Sequence, residues 1–214
     1  MTTAPPARHR LQDLVGQVAD ESITRWQKGY LADQSAAVAT LAQLRRGAGK
    51  LPQDMPELWG MIGTEALFEE DLSETEAIRA ENALFLAVTL YALHQQSRTE
   101  QGMHQPGIEL GAAVRRMMPG NEIDEPIRRR FVRVGAASTP DVLAYRLREL
   151  VTLLRRYAIP LDYRLLATRL YQAQTPDGMR RVRQIWGGSF HAYRPENADT
   201  ENTPIATTND KDAR

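Results

Sequence analysis

Between residues 115 and 194 the chain carries sixteen arginines and no lysine against seven carboxylates, a net +9 in a protein whose total charge is zero. A guanidinium is planar and permanently charged, and its fork of N–H donors grips phosphate or carboxylate through two parallel hydrogen bonds. The chemistry such a set offers is capture of a polyanion, with no bond made or broken. The preference extends over the whole chain, which uses twenty-four arginines and three lysines (Lys28, Lys50 and Lys211). The remainder is acidic: residues 1–114 hold nine basic and fifteen acidic groups, and residues 195–214 hold two and five. A near-neutral total therefore hides an acidic half and a basic half, a division that suits a nucleic acid or charged protein neighbours.

Other residue types offer less. The four histidines, His9, His94, His104 and His191, are far apart and form no H-x-x-x-H or H-x-E pair of the kind that holds a metal. His94 ends an apolar helix and reads as a half-buried structural residue. The acidic run Glu69-Glu70-Asp71, with Glu74 and Glu76, lies at a helix start, where carboxylates favour the positive end of the dipole. There is no cysteine, so thiol catalysis, disulfides and cysteine-type zinc sites are excluded. Neither G-x-S-x-G nor a P-loop motif occurs. The expectation is a protein that is not an enzyme, with no cofactor and no bound metal.

The elements that must position the arginines are helices. Apolar residues recur at helical spacing over residues 8–30, 34–46, 74–97, 108–118, 126–136, 140–157 and 163–173. A last helix starts at Thr175-Pro176-Asp177 and runs through Met179, Val182, Ile185 and Trp186, and a further short helix is expected over 59–68. Start signals agree: Ser73 with Glu76 forms a capping box, Thr139-Pro140 opens one helix and Asp162 another. No period-two alternation and no Asn-Gly hairpin turn appears. The fold class expected is all-α: about nine helices in two small bundles, residues 1–100 and 106–194, joined through a Gly- and Pro-containing linker. A disordered acidic tail is expected over 195–214. The apolar run Ala83–Leu93 is too short to cross a membrane and reads as a buried core helix. Residues 1–10 lack the apolar run of a secretory signal, and a soluble cytoplasmic protein without membrane attachment is expected.

At about 100° per residue, Leu143, Leu147, Leu150, Val151 and Leu154 form one stripe of helix 140–157. Arg148 and Arg155 then share one exposed flank, and Arg156 faces away from the core. On helix 126–136, Arg129 and Arg133 share a flank, whereas Arg130 falls on the core side and reads as a buried or interdomain ion pair. Arg45 and Arg46 end a helix before a glycine-rich loop. Arg115 and Arg116 join the set through the local charge. Tyr145, Tyr157, Tyr163, Trp186 and Tyr193 lie near the basic segment and could stack bases, although at helical spacing aromatics more often belong to a core.

Five stretches carry a resemblance to a known family: Leu41–Gly47, Glu81–Gln96, Arg129–Arg133, Leu147–Arg155 with Ile159–Tyr163 behind it, and Val182–Gly187 with Phe190. In order and spacing they resemble the small subunit of the type I-E CRISPR surveillance complex Cascade, the CasB family. That family usually continues the last motif with a charged pair where this chain has Gly188-Ser189. The resemblance implies an all-helical, non-catalytic subunit that stabilises the guide–target hybrid and holds the displaced DNA strand. Its implied partners are the CRISPR RNA and target DNA, the backbone and large subunits, and a second copy of itself. Arg45, Arg46, Arg129, Arg133, Arg148 and Arg155 match basic positions within the resembling stretches. Two other readings stay open: a helix-turn-helix-like DNA-binding regulator built on helices 126–136 and 140–157, and a helical scaffold whose arginines meet acidic protein partners.

Overall fold

The computed structural model describes residues 7–64, 67, 71–120 and 122–193, with side chains from residue 11 onward. Eight α-helices follow one another among them: α1 (Ala7–Leu31), α2 (Ser35–Leu44), α3 (Glu74–Gln95), α4 (Leu110–Arg116), α5 (Glu125–Gly135), α6 (Pro140–Arg156), α7 (Tyr163–Ala173) and α8 (Gly178–Ala192). Three single 3₁₀ turns, Arg45–Gly47, Pro52–Asp54 and Pro56–Leu58, occupy the connection after α2. The described residues contain no strand, only an isolated bridge between His104 and Leu161. None of their helices is long and apolar enough to cross a membrane. The acidic tail expected over 195–214 lies outside the described residues.

The helix expected over 59–68 does not form across 59–64. Gly60 and Gly63 stand there at φ +75° and +76°, backbone angles that break a right-handed helix, and most of the remainder lies outside the described residues. Elsewhere the start signals act as read. The Ser73 hydroxyl accepts from the Glu76 amide while the Glu76 carboxylate accepts from the Ser73 amide. The side chains of Thr139 and Asp162 accept from Val142 and Leu165 at the starts of α6 and α7, and Asp124, which the sequence had not singled out, accepts from Ile127 at the start of α5. α3 stops at Gln95, two residues before Ser97 enters the left-handed region at φ +60°.

α3 runs through the middle of the molecule, buried at every residue from Ala83 to Gln95. Its surroundings come from both halves of the chain. α1, α2 and the 3₁₀ turns cover part of it, α6 lies along another side, and α7 packs against both α1 and α3. The α1–α7 crossing is close because Gly16 has no side chain; a Cβ there would sit 2.4 Å from Thr168 Oγ1. α4 and α8 approach in the same way, and a Cβ on Gly111 would lie 1.9 Å from the Trp186 carbonyl oxygen. A single apolar cluster extends from Leu11 to Phe190.

The stretch between the two halves is pinned to both of them. The Gln95 side-chain amide donates to the carbonyls of Arg98 and Gln101, and its oxygen accepts from the Met103 amide at 2.8 Å. Gln27 of α1 bonds both main-chain groups of His104. The His104 imidazole spans the gap, with Nε2 2.8 Å from Asp20 and Nδ1 accepting from the Tyr163 amide at 3.1 Å. His94, fully buried, shares a 3.0 Å hydrogen bond with the Tyr163 hydroxyl. Burial pushes its pKa down to about 3, so the ring is neutral.

Candidate nucleic-acid interface

α6 presents two faces. Leu143, Leu147, Leu150, Val151 and Leu154 are buried on its inner side. Tyr145, Arg148, Thr152 and Arg156 stand exposed, with Arg155 half-buried at their edge. Arg148 and Arg155 are separated by seven residues, about 10 Å along the helix axis.

The Arg148 stem lies across Gly49, which occupies φ +81°; a Cβ on that glycine would come within 2.8 Å of Arg148 Cδ. Glycine at this point lets the loop after α2 approach α6 closely. The contact sets the loop that carries Lys50, which follows the Arg45–Gly47 turn, against Arg148 from nearly a hundred residues away. Arg45 is half-buried, and Arg46 is exposed with its guanidinium 3.7 Å from Glu57.

At the other end of α6, Arg155 Nη1 donates to the Gln96 side-chain oxygen at 2.5 Å. Arg98 donates to the carbonyls of Arg155 and Arg156 at the helix terminus, the first of which also accepts from the Ala158 amide. These groups line a concavity of about 460 Å³ walled by Gln96, Ser97, Arg98, Thr152, Leu153, Arg155 and Arg156, with no carboxylate among them.

α5 carries the second group. Arg129 and Arg133 are both exposed, and Arg129 Nε reaches only the Glu125 carbonyl of its own helix at 3.4 Å. No contact among the described residues ties them to the α6 row. Arg128 pairs with Glu125 at 2.9 Å, which holds that carboxyl below its ordinary range. Arg130, expected on the core side, is exposed and reaches only the Pro126 carbonyl. It sits at the border of the buried stripe set by Ile127 and Val134, and its long stem carries the charge out to water.

Arg115 also departs from expectation. It is 6% exposed, and its guanidinium donates to the Met118 carbonyl at 3.3 Å and the Gly120 carbonyl at 2.8 Å. Two of its donors are turned inward to close the turn after α4. Arg116 next to it is exposed, with its guanidinium 5.4 Å from the centre of the Tyr193 ring.

Charge compensation separates the arginines further. Among the described residues, carboxylates pair with Arg46, Arg128, Arg169 and Arg180. No carboxylate of the described residues forms an ion pair with Arg129, Arg133, Arg148, Arg155 or Arg156. The uncompensated set favours an external polyanion. The structure adds Lys50 and Arg98, which the sequence did not single out, because only the fold places a loop lysine and a post-helix arginine beside α6. Of the five aromatics near the basic segment, Tyr163 and Trp186 are buried, Tyr193 is half-buried and Tyr145 and Tyr157 are exposed. No cluster of three or more His, Asp or Glu able to hold a metal occurs among the described residues.

No curated protein matches the chain. Among solved structures it is similar to CasB from Thermobifida fusca, at 55% identity and TM-score 0.76, over 83% of this chain and 98% of that one. It shares its fold with CasB from Thermus thermophilus at 24% identity and TM-score 0.60, over 82% and 98% of the two chains. It also shares the fold of a chain from a CRISPR RNA-guided surveillance complex at 20% identity and TM-score 0.60, over 83% and 95%. The family model of the CRISPR-associated protein Cse2 matches residues 40–191, well over half of the sequence. With that match and the close likeness to a crystallised CasB, the chain belongs to the Cse2, or CasB, family of type I-E CRISPR systems.

Proposed function

We propose that this protein is a non-catalytic nucleic-acid-binding subunit of a CRISPR RNA-guided surveillance complex, and that it stabilises the guide–target hybrid and the displaced strand of the R-loop. The observation that carries the reading is the row of cations along α6. It begins at Arg45, Arg46 and Lys50, passes Arg148 and ends at Arg155 and Arg156, and from Arg148 onward none of its members forms an ion pair with a carboxylate among the described residues. Arg129, Arg133 and Arg116 are further contact residues on this reading. Guide pairing reads the sequence in such an assembly, so a subunit of this kind needs phosphate contacts and no base readout. Exchange of a DNA duplex for an RNA–DNA hybrid is nearly balanced, and a few arginine–phosphate contacts on the displaced strand tip it. The guide RNA, the target DNA, the backbone and large subunits and a second copy of the chain are the partners proposed, in the cytoplasm.

The test is R-loop lifetime in the assembled complex carrying R148E and R155E. Faster R-loop collapse with normal assembly is expected, and an unchanged lifetime would sink the proposal. The isolated protein is expected to bind nucleic acid weakly and without sequence preference. A footprint confined to one operator sequence would favour the regulator instead.

A further inference from the structure

We infer that Tyr145 and Trp59 form a stacking platform for unpaired bases at one end of the α6 cation row, which makes this surface selective for single strands over duplex. The inference rests on the reading of that row as a sugar-phosphate track. Trp59 is 62% exposed and Tyr145 is 54% exposed. Large aromatic faces in water are costly, and a rigid one beside guanidinium groups fits the π-face of a base.

Tyr145 and the loop that leads to Trp59 both border the N-terminal half of α6. Tyr145 lies one turn before Arg148 on the outer face of α6, in the line Tyr145, Arg148, Thr152 and Arg155. Arg148 fixes the position of the neighbouring loop through Gly49. From that point the loop runs toward the start of α6, where Leu51 shares a cavity wall with Thr139, Pro140 and Leu143. The indole of Trp59 is anchored to the next residue, its Nε1 donating to the Pro52 carbonyl at 3.0 Å. That bond leaves the ring face free and removes much of the rotational freedom that stacking would otherwise have to restrict. Arg46 closes the same loop through Glu57. Phosphates along Arg148 and Arg155 would thus carry a strand whose next bases meet the two rings. In a duplex those bases are paired and stacked within the helix, and the rings have nothing to take.

The test uses the full chain with three probes: oligo-dT, a duplex of equal length, and an abasic oligomer of equal length. Trp26 and Trp186 are buried, so Trp59 is the indole that a bound strand reaches. Oligo-dT is expected to quench its emission, and the abasic oligomer is not. W59A and Y145A are each expected to weaken oligo-dT binding about tenfold while leaving duplex affinity and the salt slope unchanged. W59F and Y145F keep a ring and are expected to retain most of the affinity. Equal binding of oligo-dT and the abasic oligomer by the native chain would overturn the platform. So would alanine variants that bind oligo-dT normally but fail to assemble with the companion subunits, since the rings would then be a protein contact. If no probe binds in a salt-dependent way, the track itself fails, which is a separate result from loss of the stacking term alone.

Discussion

The guanidinium of Arg115 donates to two main-chain carbonyls in the turn after α4, whereas that of Arg148 crosses a glycine and ends in water. The two side chains are chemically identical, and their surroundings set what each does. Arg115→Ala removes the donors to the buried Met118 carbonyl and to the Gly120 carbonyl, so it is expected to cost about 2 kcal/mol in urea unfolding while leaving oligonucleotide affinity at fixed salt unchanged. His94 gives a second expectation at this scale. Its folded pKa of about 3 lies below the ordinary value of 6.5, so the unfolded chain takes up the proton first as pH falls. The stabilisation tied to its neutral form is complete above pH 6.5 and is lost as pH drops from there toward 3, at roughly 1.4 kcal/mol per pH unit. Unfolding measured between pH 7 and 4.5 should therefore show a shallower pH slope in His94→Leu than in the native chain, whatever the absolute stability of the variant.

At the level of elements, the glycines divide by what faces them. Gly111 touches the α8 backbone at the α4–α8 crossing, and a methyl there collides with a carbonyl that has no rotamer to escape to. Gly187 lies inside α8 with open space around its Cβ position. Gly111→Ala is expected to destabilise by about 2 kcal/mol or more. Gly187→Ala is expected to stabilise by about 0.5–1 kcal/mol, since alanine is the better helix former and nothing must move. Thermal melts of the two variants check both signs. The helix spans and caps were legible in the sequence because they are local: the Ser73–Glu76 box, Thr139 and Asp162 each act within four residues. Across 59–64 the expected helix is absent for an equally local reason, since Gly60 and Gly63 outweigh the apolar spacing around them.

For the whole molecule, the apolar cluster passes without a break from α1 through α3 to α7 and α8. The chain between the halves is bonded to α1, α3 and the start of α7 through Gln27, Gln95, His104 and Tyr163. The two halves are therefore expected to unfold in one transition. Variants retaining only Trp26, in α1, or only Trp186, in α8, should report coincident urea midpoints; separated midpoints would mean that each half is stable alone. The cation row also belongs to this scale, because its members come from the loop after α2 and the length of α6. In the native protein, oligonucleotide affinity should fall with salt at roughly −0.7 per phosphate contact on a logarithmic plot, and the R148E and R155E pair should flatten that slope by about two contacts.

What the sequence determined by itself was the all-helical class, the capped starts of α3, α6 and α7, the central burial of the Ala83–Leu93 run and the shared flank of Arg148 and Arg155. Each follows from a periodicity of 3.6 residues or a contact within one turn, information that lies on a single stretch of chain. The tertiary structure decided which arginines face water. It turned Arg115 inward, brought Arg130 out and set the Arg45–Lys50 loop against Arg148. Exposure depends on what packs over a residue, and the elements that pack here come from opposite halves of the chain. No local pattern encodes the approach of Gly49 to Arg148 or of Gly16 to Thr168, because those contacts exist only once α3 has drawn its neighbours around it.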